Sequence, residues 1–389
     1  ETAPILYSTP KNLIYFIGDG MGISAITATR IWKHGSQGKL NLESMPITGF
    51  SKTFSTDDFV TDSAASATSL ASGVKTYNAA IGVTDPTIDP KKQSRELETI
   101  FDVAKKNGKS IGIITTARVT HASPASFYAH VNDRDKEEEI ATFVQKSELS
   151  LLMGGGRSYF FPPSWKDPEN QKPGLRKDQK NIVEDLTKNN WIYVDQFNKL
   201  SNLSFNPSTK LIALFEYSHM RFDLDRPSDQ FGEPSLKDMV AFAIKFLSKN
   251  KNGFFLMVEG GRIDHASHDN IVQHTLGDTL ALDEAVGEAL KIIHSTLVIV
   301  TADHETGGLS INGYQKPEKA KGASLLGLDR TNSYSLLTWG NGPGGKLNQK
   351  SDPISGKNPA AVFTGDYSAH TAVDVPIISA GPKSELFSG

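Results

Sequence analysis

Short apolar runs alternate with amphipathic stretches along most of the chain. KNLIYFIG (11–18), SIGIITTA (110–117), LSLLMGGG (149–156), GFFLMV (253–258), STLVIVTA (295–302) and VDVPIISAG near the end lack a polar face. Runs of this length predict strands buried on both sides. A further strand is predicted around Gly49–Thr53, and short ones at 191–194, at 210–215 and near SLLTW. Helical spacing is read over ISAITATRIWKHG, Thr61–Lys75, Glu96–Asn107, 137–146, Ser235–Lys249 and roughly 269–293, with Gly35, Gly73 and Gly108 as stops. Pro124 argues for irregular structure within 118–130. Strand followed by helix, many times over, predicts an α/β fold: a doubly wound, mostly parallel central sheet with helices on both faces. Ligands of such sheets bind beyond the carboxyl ends of the strands.

Two segments depart from this rhythm. Residues from about 157 to 234 carry PPSW, KDPENQKPG and DRPSDQFGEP, with a short helix near 178–188, and read as a surface insertion; 309–360 is loop-rich and reads as a second, compact one. With no internal repeat, 1–389 reads as a single domain bearing these insertions. The formal net charge of −3 and scattered basic residues give no nucleic-acid footprint, and no run reaches the roughly 20 apolar residues of a membrane span. The absence of cysteine excludes disulfides, thiolate metal sites and a cysteine nucleophile. The opening Glu1-Thr2-Ala3-Pro4 reads as a processed start, and hence a periplasmic or secreted protein; a trimmed expression product is the plainer alternative.

The chemistry concentrates at strand ends. Asp19 follows IYFIG, Glu259 follows FFLMV and Asp303 follows LVIVTA. Three carboxylates brought together would each disfavour the others' ionisation, and divalent cations relieve that. Asp264 and His268 are four apart, on one face if the turn is helical; His304 adjoins Asp303, and His370 precedes the last strand. Oxygen and imidazole donors without sulfur suit zinc, leaving a carboxylate and hydroxyl site for magnesium. His34, His219, His274 and His294 read as ordinary surface or core residues. In TDSAASATSLASGVK (61–75), Ser63 sits at a helix mouth that favours an incoming anion, and small residues let the helix pack closely. Alone, Thr61, Asp62 and Ser63 are better explained as helix caps.

With DSAASAT, VEGGRIDHASH, TADH and SAHTAVDVP in this order, the chain resembles the alkaline phosphatases over nearly its whole length. The resemblance implies a homodimeric phosphomonoesterase with two zinc ions, one magnesium ion and a phosphoserine intermediate. Its substrates are small phosphate monoesters, and inorganic phosphate is its product. Matched residue by residue, Asp264, His268 and His370 correspond to ligands of the first zinc; Asp19, Asp303 and His304 to those of the second, beside the nucleophile Ser63; and Asp19, Glu259 and Ser123 to those of magnesium. Arg134 matches the arginine that clamps phosphate, with Asp62 as its orienting partner. His121 is expected among the waters of the third metal and His265 near the phosphate, as in animal-type relatives. Where some relatives carry a further histidine after Asp-His, this chain has Glu305-Thr306; the resemblance puts Thr306 beside the metal ligands, and the details of the surroundings of the second zinc stay open. A fainter match gives an extra calcium site from Asp185, Glu216, Glu233 and the carbonyl of Phe215. The alternatives are a phosphodiesterase of the same superfamily and a secreted, non-catalytic protein whose metals are structural. A sulfatase is disfavoured because Ser63 is followed by Ala-Ala-Ser, not by a Pro/Arg motif.

Overall fold

The computed structural model describes residues 9–88, 91–313, 327–328, 335–347 and 356–389. The Glu1–Pro4 start and part of the 309–360 segment lie outside the described residues. The first half of the chain forms β1 (Asn12–Gly18), α1 (Ile23–His34), β2 (Ile47–Ser51), α2 (Ser63–Ser72), α3 (Ile100–Lys106), β3 (Ser110–Arg118), α4 (Ala122–Ala125), α5 (Glu137–Lys146), β4 (Leu151–Gly155), α6 (Ile182–Lys188) and β5 (Trp191–Val194). There follow β6 (Lys210–Leu214), α7 (Leu236–Leu247), β7 (Phe254–Gly260), α8 (Arg262–His268), α9 (Val272–Leu290), β8 (Thr296–Ala302), β9 (Glu305–Thr306), β10 (Ser310–Ile311), β11 (Leu337–Asn341), β12 (Ala360–Val362), β13 (His370–Thr371) and β14 (Val375–Ala380).

Nine strands make one sheet in the order β2-β14-β8-β1-β7-β3-β4-β6-β5, parallel from β8 to β5, with β14 antiparallel to both β8 and β2. The unbroken apolar runs have the predicted cause. Along β1, Ile14 and Phe16 enter a core shared with α1, α7 and α9, while Tyr15 and Ile17 enter the opposite core, shared with α2, α3, α5 and α6. Because side chains alternate across a strand, only a strand covered on both faces reads this way. β5 and β6 correct the insertion reading in part: these strands of the 157–234 segment complete one edge of the main sheet.

Local signals set the helix ends. Thr99 with Asp102 and Ser235 with Asp238 form capping boxes at α3 and α7. The helix expected from about 269 begins at Val272, because Asn270 adopts φ +56° and separates α8 from α9. Pro124 does not abolish helix but sits in the single turn α4, where a proline forfeits no intrahelical bond.

Candidate active site

Asp303, Asp19 and Glu259 arise from β8, β1 and β7, three neighbours at the centre of the sheet. The register places Gly18 opposite Ala302, Ile17 opposite Glu259 and Thr115 of β3 opposite Glu259, so the acids emerge on one edge. All three are buried. Asp303 Oδ1 accepts from the backbone N–H of Gly20 (3.1 Å) and of His304 (2.9 Å), and Glu259 accepts from the Thr115 hydroxyl. Asp19 Oδ2, Asp303 Oδ2, Glu259 Oε1 and the Ser123 hydroxyl are buried without a hydrogen-bond partner. Burial, then the charges of Asp303, Asp264 and Glu259, raises the Asp19 carboxyl well above its usual range. Glu259 and Asp303 are pushed up to about 7, burial again first and neighbouring acids adding to it. Unpaired oxygens converging in a dry, acid-rich site are the donor set a divalent cation satisfies.

Three imidazoles complete the edge. His268 Nδ1 donates to the Ser368 carbonyl at 2.6 Å and His370 Nδ1 to the Thr61 carbonyl at 2.9 Å. A carbonyl only accepts, so both rings turn an Nε2 lone pair inward when neutral. Those two nitrogens lie 3.2 Å apart, and His268 Nε2 is 3.1 Å from Asp264 Oδ2. Burial alone would lower the His268 pKa, but Asp264 outweighs it and holds the ring up at about 9. A proton thus binds where acceptors crowd together, the place a cation also suits. His304 stacks on His370 with 3.6 Å between centroids, and its Nε2 lies 3.5 Å from Asp19 Oδ1 and 3.4 Å from Asp303 Oδ2. Asp19, Asp303 and His304 form one metal-capable group and Asp264, His304 and His370 another.

Ser63 opens α2 directly over these groups. Asp62 caps the helix through Ala65 N (2.9 Å), Gly73 ends it with φ +73°, and Ser66 donates to the Asp303 carbonyl at 2.5 Å. Ala64, Ala65, Ala67 and Ala71 are buried, so small side chains let the helix settle onto the strand ends. Ser63 Oγ lies 3.2 Å from His304 Nε2 and 3.5 Å from Asp19 Oδ1. The predicted Asp62–Arg134 pairing is present, at 2.9 Å between Oδ2 and Nη1, and Arg134 Nη2 is 3.1 Å from His121 Nε2.

Other residues stand where spacing alone did not put them. His121 forms a third metal-capable group with Asp19 and Glu259, the acids expected to hold the third metal. His265 accepts from Arg262 Nη1 at 2.9 Å, and burial, followed by Arg262, lowers its pKa to about 3. His219, read as an ordinary residue, packs against both His121 (5.4 Å) and His265 (4.2 Å). The available signal was its place just beyond β6, at the same sheet edge. Thr115 was also missed, because a threonine inside an apolar strand looks like core.

The calcium group does not assemble. Asp185, on α6, accepts from Gln145 at 3.3 Å and belongs to none of the metal-capable groups of the described residues. Phe215 is buried, edge-on to Phe197. Glu216 instead feels Glu169, and Glu233 feels Glu216 and Asp229. Glu169 itself bridges Arg157 (2.8 Å) and Arg221 (3.3 Å). The acid that meets Glu216 therefore comes from the KDPEN loop rather than from α6, and guanidinium groups already offset its charge.

The alkaline phosphatase family model matches residues 10–389. The chain belongs to the alkaline phosphatase family. The Gadus morhua alkaline phosphatase is 35% identical over 434 residues, covering 97% of this chain and 88% of that protein. The Homo sapiens tissue-nonspecific alkaline phosphatase is 33% identical, with 97% and 80% covered. Among solved structures, the alkaline phosphatase of the Antarctic bacterium TAB5 superposes with a TM-score of 0.73 at 31% identity, covering 98% of this chain and 94% of that one. A variant of that enzyme in which a histidine is replaced by glutamate is described with magnesium bound in its M3 site. The Thermus thermophilus alkaline phosphatase gives a TM-score of 0.77 at 25% identity, with 98% and 88% covered. This alkaline phosphatase is thus a phosphomonoesterase whose strand-end acids and imidazoles form metal-capable groups.

Proposed function

We propose that this phosphomonoesterase works through a phosphoserine on Ser63, with two zinc ions and one magnesium ion. Asp264, His268 and His370 would hold one zinc, and Asp19, Asp303 and His304 the other. Asp19, Glu259 and Ser123 would hold magnesium, with His121 beside them. The observation that carries this is the Ser63 hydroxyl 3.2 Å from His304 Nε2 and 3.5 Å from Asp19 Oδ1, with Arg134 held by Asp62 nearby. The bound cations supply positive charge that favours an ionised serine and an ionised water and that screens the phosphoryl oxygens.

Ser63 Oγ bonds to phosphorus while the ester oxygen departs on the opposite side. Arg134 presents a planar guanidinium to two non-bridging oxygens, which a lysine would not match. The N-terminus of α2 adds a favourable dipole. Water then cleaves the Ser63–phosphate bond, and two in-line displacements give retention at phosphorus. His265, accepting from Arg262 at Nδ1, keeps a proton at Nε2 and so remains a donor toward the phosphate or its waters.

The reading extends to an exported homodimer. The described residues contain no helix long and apolar enough to cross a membrane. Phe50, Phe54 and Phe59 are 61%, 46% and 85% exposed, apolar surface that a second copy would cover, and light scattering at working concentration tests it. The central experiment is Ser63→Ala. Labelled phosphate should no longer be trapped on the protein at acid pH. Label retained on another residue would remove Ser63 from the nucleophile's role.

A further inference from the structure

Thr306 is almost fully buried, at 1% exposure, and touches the segments that carry the candidate zinc ligands. Its backbone N–H donates to the Gly20 carbonyl at 3.3 Å, one residue after Asp19. In the β9–β13 pair it stands opposite His370. Its hydroxyl lies 2.5 Å from Asp264 Oδ1 and 3.3 Å from His304 Nδ1. It therefore joins an acid and an imidazole that share one metal-capable group and that the proposed zinc sites divide between them.

The donor count fixes the direction of these bonds. A hydroxyl has one proton to give. An ionised Asp264 oxygen can only accept, so the Thr306 proton goes to Asp264. Thr306 Oγ1 must then accept from His304, which places the His304 proton on Nδ1 and turns the Nε2 lone pair toward Asp19, Asp303 and Ser63. His268 and His370 are pinned the same way, by the carbonyls of Ser368 and Thr61. His304 is the ring of this trio whose Nδ1 rests on a side chain rather than on the backbone, so its orientation depends on residue 306.

We propose that Thr306 is a positioning residue that holds His304 in its ligating tautomer and ties that ring to Asp264, so that the two metal groups are oriented together. The inference rests on the metal-holding roles proposed above. Outer partners of ligating histidines fix ring tautomer and aim, and their loss costs roughly 10–100-fold in metal affinity or activity.

The test is zinc titration of the metal-free protein against a chromophoric chelator, for the wild type, Thr306→Val and Thr306→Ser. Valine keeps the branched shape and deletes the hydroxyl, whereas serine keeps the hydroxyl and deletes the methyl. We expect Thr306→Val to bind zinc roughly 10–100-fold more weakly, Thr306→Ser to stay near wild type, and the metal-free proteins to melt at similar temperatures. Wild-type affinity in Thr306→Val would overturn the inference, as would equal weakening in Thr306→Ser. A wild type that binds no zinc would instead bring down the metal roles themselves, and this inference with them.

Discussion

At the residue scale, Asp62 shows how one side chain serves fold and chemistry together. Its Oδ1 accepts from Ala65 N and caps α2, while its Oδ2 accepts from Ala79 N (3.0 Å) and pairs with Arg134. The two duties can be separated. Asp62→Asn keeps a capping oxygen but puts an amide N–H donor where Oδ2 accepts from Ala79 N and Arg134, so it should weaken inhibition by inorganic phosphate about tenfold, the scale of one charge-assisted hydrogen bond, and cost about 1 kcal/mol of stability for the lost Ala79 bond. Asp62→Ala should lose that affinity and, with the cap gone as well, about a further 1 kcal/mol of stability. Phosphate inhibition constants and urea unfolding of both variants check this; unchanged inhibition in both would remove Asp62 from the orientation of Arg134. Asp19, Glu259 and Asp303 were legible in the sequence because the end of an apolar run marks a strand's carboxyl end, and the parallel sheet gathers those ends. His219, Arg262 and Glu169 were not legible, because loop closure brings them in and no local period encodes that. Asp185 was misplaced for the same reason: in a segment of turns, spacing does not fix which acid faces Glu216.

At the element scale, the backbone turn after β1 matters as much as the side chains it carries. Gly20 has φ +71°, and a Cβ there would come within 2.8 Å of both Asp264 Cα and Thr306 Oγ1. Gly73, at the end of α2, has φ +73° but open space around it. Gly73→Ala should therefore cost only the left-handed penalty, about 1–2 kcal/mol. Gly20→Ala should cost that and a further ~1–3 kcal/mol for overpacking, and should reduce zinc affinity because it pushes on α8 and β9. Denaturant midpoints and chelator competition distinguish the two; equal costs would mean that the strand-end turn has slack. The repeated strand-then-helix rhythm was readable because burial on two faces leaves a continuous apolar run. The sheet-edge role of β5 and β6 was hidden by the polar, proline-rich loops around them, which resemble an insertion whatever their strands pair with.

At the scale of the whole molecule, the cores on the two faces of the sheet enclose ionisable groups that tie stability to pH. Asp278, in α9, is 3% exposed and accepts from Asp223 N at 3.2 Å. Burial pushes its carboxyl up to about 8; the nearby Arg262 lowers it without cancelling that. An acid in an unfolded chain titrates near 3.9. Between those values the folded state holds a proton that the unfolded state has released, so stability falls as pH rises through the interval and levels off above the folded pKa. Each unit of that interval is worth about 1.4 kcal/mol at most, so the whole effect is on the order of a few kcal/mol. Asp278→Asn keeps an oxygen for Asp223 N and removes the charge. The variant should match wild type near pH 4, gain on it steadily toward pH 8, and hold a constant advantage at higher pH. Urea unfolding of the metal-free proteins across that range makes the comparison without the pH dependence of metal binding. Parallel stability curves would show that Asp278 is ionised at little cost, with Arg262 close enough to neutralise it.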